Sequence, residues 1–195
     1  MKKTLALLAG LTLALFVSGC GDGGRAAADA AMKAAEAAFA DVQSDATVYV
    51  PEQAKAVQDA IAAAKDTFTK GDFQAALTEA QALTGKIADL KAAAEAKRGE
   101  LMKTWQTWAA GLPGVVSSIQ AKMDQYAKKL PKGMTKEAYE GAKTTFDTVN
   151  TGWVAAEEAF KGGNLVDAVS KAAGLKATVS QLLALLGMEI PEFLK

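Results

Sequence analysis

The stretch Ala64-Lys65-Asp66-Thr67-Phe68-Thr69-Lys70-Gly71-Asp72-Phe73-Gln74-Ala75-Ala76 decides the fold. Before its Gly71-Asp72, apolar residues fall at Ala54, Val57, Ile61, Ala64 and Phe68; after it, at Phe73, Ala76, Ala80, Leu83, Ile87, Leu90 and Ala94. Steps of three and four place each set on one face of a helix. Gly71 suits the left-handed position that closes a helix, and Asp72 is a good N-cap for the next. The stretch therefore predicts two helices folded back on each other through a tight turn. Val50-Pro51-Glu52 opens the first of them, with proline in the first turn, where its missing donor does no harm, and Glu52 at the positive end.

Working outward, an earlier helix is expected over about 25–44, with a stripe of Ala28, Met32, Ala35, Phe39 and Val42. Downstream, the Phe73 helix meets no strong breaker before Leu112-Pro113-Gly114. It should run for roughly 38 residues, or about 57 Å at 1.5 Å per residue. A fourth helix carries Val116, Ile119, Met123 and Tyr126 and ends near Leu130-Pro131-Lys132-Gly133. Thr135 can cap a fifth, striped by Tyr139, Ala142, Phe146, Val149, Trp153, Ala156 and Phe160. Gly162-Gly163-Asn164 separates it from a sixth, striped by Leu165, Ala168, Ala172, Leu175, Val179, Leu182 and Leu186. The expected fold is all-α, an antiparallel bundle of about six amphipathic helices with one long central helix. Residues 25–111 read as an N-terminal helical hairpin region and 112–195 as a C-terminal one. A shift of 92 residues lays Phe68, Gly71 and Phe73 on Phe160, Gly163 and Leu165, which suggests an internal duplication.

Ala64, Phe68, Gly71-Asp72-Phe73, Ala76 and Ala80 resemble the helix-turn-helix of tetratricopeptide repeats, in which an aromatic precedes Gly-Asp-Phe/Tyr and alanine lets the helices approach. With Val48-Tyr49-Val50-Pro51 ahead of them, residues 25–96 also resemble an Ala-rich helical-hairpin domain of unknown function found in bacterial envelope lipoproteins. The chain departs from a tandem array, because its two hairpins lie about 92 residues apart and its third helix is longer. The resemblance implies tetratricopeptide-like hairpins and no particular activity.

At the N-terminus, Lys2 and Lys3 precede an uncharged run from Leu5 to Val17, followed by Val17-Ser18-Gly19-Cys20. About 13 residues are too few for the ~20 that a helix needs to cross a bilayer, but they suit a signal-peptide core. Val-Ser-Gly-Cys resembles the lipobox of bacterial lipoproteins at each of its four positions. That resemblance implies a signal peptide over 1–19, diacylglycerol on the Cys20 sulfur, an acylated new amino terminus and a tether over 20–24. Each buried methylene contributes about 0.8 kcal/mol, so two or three chains hold a protein durably on a membrane that it does not span. Asp directly after the Cys is the familiar inner-membrane retention signal in diderm bacteria. Here Gly21 takes that place, which implies the outer membrane, facing the periplasm.

Composition narrows the chemistry. Without Lys2 and Lys3 the chain has 20 basic residues against 22 acidic ones, and no basic cluster of the kind that nucleic acid requires. It has no histidine, and its single cysteine is Cys20. Sites that need His or a further Cys lose a required residue, among them His-ligated haem, Cys/His zinc and the Ser-His-Asp and Cys-His triads. No cofactor and no enzymatic activity is expected. Glu157-Glu158 is the most obvious acidic pair, but adjacent helical residues diverge by about 100°, so it reads as a solvated face.

Trp105 and Trp108 lie three apart near the end of the third helix, on the side of Leu101. They form either a patch for a partner or apolar ligand, or a piece of core covered by the fourth helix as it folds back after Pro113. The leading expectation is a lipid-anchored helical scaffold or accessory protein that contacts an envelope protein partner. The alternative is a carrier whose two hairpins enclose a small apolar ligand. A third reading takes Lys195 as a covalent link to peptidoglycan, as in Braun-type lipoproteins, which join a C-terminal lysine to the wall.

Overall fold

The computed structural model describes residues 22–195, so Cys20 and the signal segment lie outside the described residues. Six α-helices are present in that range: α1 (Asp22–Tyr49), α2 (Pro51–Thr69), α3 (Phe73–Lys128), α4 (Lys136–Lys161), α5 (Leu165–Gly174) and α6 (Lys176–Leu185). A 3-10 turn, Glu192–Leu194, follows them, and no strand occurs among the described residues. The fold is all-α, with one long central helix, α3.

The chain divides into two compact units. Unit 1 contains the described residues 22–41 and Lys55–Ala88; unit 2 contains Val42–Ala54 and Asp89–Lys195. The division falls inside α3, between Ala88 and Asp89.

Unit 1 is a three-helix packing with small side chains at its centre. Ala28, Ala35 and Phe39 of α1, Val57, Ile61 and Ala64 of α2, and Ala76, Ala80, Leu83 and Ile87 of α3 are buried. These are the stripes read from the sequence, and their alanines allow the helices to approach closely. An exposed ion pair, Lys65 Nζ to Glu36 Oε1 at 2.7 Å, links α2 to α1.

The α2–α3 turn follows the expected chemistry. Gly71 has φ +87°, its N–H donates to Phe68 O and that of Asp72 to Thr67 O, while Asp72 Oδ1 accepts from Ala75 N. The α4–α5 turn repeats this bond for bond: Gly163 has φ +82°, with Gly163 N to Phe160 O, Asn164 N to Ala159 O, and Asn164 Oδ1 accepting from Asp167 N. A non-glycine residue would be strained at either position.

Three expectations are corrected. The first is the fourth helix, which is not separate: α3 runs for 56 residues with Pro113 inside it. Proline interrupts a helix because it lacks a donor and crowds the carbonyl four residues back. Here the apolar stripe Trp105, Trp108, Leu112, Val115, Ile119 and Met123 keeps its register straight through the proline, and all six are buried. Continued burial outweighs one lost hydrogen bond. At Pro51, by contrast, the chain changes helix at Val50. Second, the sixth helix is broken at Leu175, whose N–H bonds Ala172 O three residues back in a 3-10 step. Third, α1 starts at Asp22, so part of the tether expected over 20–24 is helical.

Candidate functional site

Cys20, expected from the sequence to carry lipid, lies outside the described residues. The tryptophan pair can be followed. Trp105 and Trp108 are only 5% and 6% exposed, which removes the reading of an open docking patch. The cover is also not the expected one, since the segment after Pro113 continues along α3 and cannot fold back over them. Trp105 stacks instead on Trp153 (centroids 5.3 Å apart) and on Phe160 (4.6 Å), both from α4. Trp108 meets the edge of Phe193 from the C-terminal tail at 5.7 Å. Stacked and edge-to-face aromatic pairs are each worth roughly 0.5–1.5 kcal/mol beyond their buried area.

The tail is therefore the element that builds this part of unit 2. After Gly187 the chain crosses α3, seats the Phe193 ring over Gly111 and buries Leu194 to 2% exposure. Lys176 Nζ donates to the Lys195 backbone oxygen at 2.8 Å, and Lys195 Nζ pairs with Glu192 at 3.0 Å on the surface. Between tail and helix lies an open groove of about 500 Å³ lined by Gly111, Gly114, Val115, Ser118, Met188 and Pro191. Two tyrosines fix the surrounding helices: Tyr126 OH donates to Leu186 O at 3.0 Å, and Tyr139 OH donates to Met123 O at 3.1 Å. The sequence reading missed this cover. Its signal was present as Ile190-Pro191-Glu192-Phe193-Leu194, an apolar cluster beyond a helix-ending glycine.

Electrostatically the described surface is a set of short, solvated pairs, many of them three or four residues apart on one helix. Lys33, Lys70 and Lys143 have pKa values raised above the ordinary lysine value, mainly by hydrogen bonds to Asp29, Asp66 and Glu140 and then by their charges. Among the described residues no polar or charged side chain is buried, and no group of three or more acidic, histidine or cysteine side chains is placed to hold a metal ion. Glu157 and Glu158 lie on the outer side of α4, with Lys161 Nζ 4.0 Å from Glu157. The arrangement offers an apolar groove and charged helix faces, which is chemistry for contact. Compared with known families, curated proteins and solved structures, the chain matches no family model, no curated protein and no solved structure.

Proposed function

We propose that this protein is a lipid-anchored envelope lipoprotein facing the periplasm, and that it works as a helical scaffold or accessory protein through contact with a protein partner. The observation that carries the reading is Val17-Ser18-Gly19-Cys20, set behind two lysines and an uncharged apolar run. Gly21 after the cysteine favours the outer membrane. Further support comes from the body: its buried side chains are alanine, aliphatic and aromatic, and its charges stand on outer helix faces. A stiff surface with solvated charges suits recognition by a partner.

Mass spectrometry of the mature N-terminal peptide should find diacylglycerol on Cys20 and an acylated amino group, and Cys20→Ala should leave a precursor without lipid that still carries its apolar signal segment. Crosslinking in the native envelope should capture the same partners repeatedly from wild type and lose them in Cys20→Ala. No protein adduct together with a co-purifying apolar molecule would replace the scaffold by the carrier. An altered mass at Lys195 in digests of purified cell wall would establish the peptidoglycan link.

A further inference from the structure

We propose that one end of unit 1, formed by the first turn of α1 and the α2–α3 turn, rests on the phospholipid surface as a membrane-contact face. The inference depends on lipid attachment at Cys20, and it specifies which residues that attachment brings to the bilayer. Helix α1 begins at Asp22. Whatever the conformation of the chain before it, two peptide units span at most about 7 Å. Lipid on Cys20 is thereby held beside the start of α1.

That start packs against the α2–α3 turn. A Cβ placed on Gly24 would lie 3.9 Å from Phe73 Cβ, and the Arg25 guanidinium sits 5.9 Å from the centre of the Phe73 ring. Phe73 meets Phe68 edge-to-face at 5.1 Å. Both rings are half-buried, Arg25 is exposed, and Arg25, Ala26, Asp29 and Phe68 line an open groove of about 320 Å³. An aromatic pair beneath a long cationic side chain suits a membrane–water interface. Phenylalanine rings enter the boundary between headgroups and acyl chains, and a guanidinium reaches out to phosphate oxygens.

The nearby acids set the kind of lipid. Asp29 pairs with Lys33, Asp66 with Lys70, and Asp72 caps α3. Arg25, Lys33 and Lys70 balance Asp29, Asp66 and Asp72, and a face on which these charges cancel fits a zwitterionic headgroup better than a strongly anionic surface, which would draw in a net-cationic one.

The test uses full-length acylated protein in phosphatidylethanolamine-rich vesicles. Cys20 is the sole cysteine and is blocked by lipid, so Thr69→Cys or Lys86→Cys each provides one thiol for an environment-sensitive fluorophore. Position 69 lies in the turn; position 86 lies 13 residues beyond Phe73, about 20 Å along α3. Lipids spin-labelled at the headgroup should quench the probe at 69 several-fold more than the probe at 86, and Arg25→Glu should reduce the quenching at 69. Equal quenching at both positions on acylated protein would overturn the contact face and leave the anchor standing. The Cys20 mass is measured on the same sample, and an unacylated cysteine would overturn both readings.

Discussion

Gly85 and Gly111 both lie in α3, yet a methyl group added to each should behave differently. At Gly85 a Cβ meets nothing within 4 Å, so Gly85→Ala removes only the backbone-entropy penalty and should stabilise by about 0.5–1 kcal/mol. At Gly111 the same Cβ would stand 2.6 Å from Phe193 Cε1. The helix gain remains, but the Phe193 ring must leave its place against Trp108, and overpacking of this kind costs about 1–3 kcal/mol. Urea titrations should therefore rank Gly85→Ala above Gly111→Ala by about that amount. Equal stabilisation would mean that the tail yields freely. The paired lysines have a different signature. Lys33, Lys70 and Lys143 have pKa values raised in the folded state, so their contribution is complete below the ordinary value of 10.5 and is lost as pH rises through the folded values. All three are exposed, and the effect is correspondingly small. The denaturation midpoint should decline above about pH 10.5, and less steeply in a variant with all three changed to glutamine. An identical slope in that variant would assign the decline to other groups.

At the scale of elements, Pro113 separates what the sequence could tell from what it could not. The stripes of α2, α4 and the first half of α3 were legible because every third or fourth residue is apolar and because glycine with Asp or Asn closes each turn. Pro113 read as a boundary because local chemistry disfavours it inside a helix, whereas the stripe running on to Met123 outweighs that preference through burial. Pro113→Ala restores a donor toward Ala109 O and should stabilise the protein by about 1–3 kcal/mol at unchanged helix content. A loss of stability would show that the packing requires the proline. The tail was hidden for a related reason, since Phe193 and Leu194 have no periodic stripe to announce them. Their role is set by the distant surface at Trp108 and Gly111. Removal of residues 188–195 should uncover Trp108, shift tryptophan emission to longer wavelength and increase its quenching by iodide. Unchanged emission would mean that α3 and α4 alone shield the indole.

At the scale of the whole molecule, the candidate site was legible only in part. The proposed lipid-attachment motif is a local string and can be read directly; the fate of Trp105 and Trp108 depends on α4 and the tail, which no local string encodes. The same contrast separates the two units. Half of the buried side chains of unit 1 are alanine, the rest Val, Ile, Leu and Phe, whereas unit 2 buries a smaller share of alanine and adds all three tryptophans together with Phe146 and many leucines. At roughly 25 cal/mol for each Å² of apolar surface removed from water, alanine contributes least, and unit 1 has the smaller driving force per residue. Unit 1 should open at lower urea. Because every tryptophan belongs to unit 2, its fluorescence reports that unit alone, while circular dichroism at 222 nm reports the helices of both. The dichroism transition should begin at lower denaturant than the fluorescence transition and be broader. Coincident curves would show that α3, whose residues are divided between the units, transmits unfolding as one cooperative step.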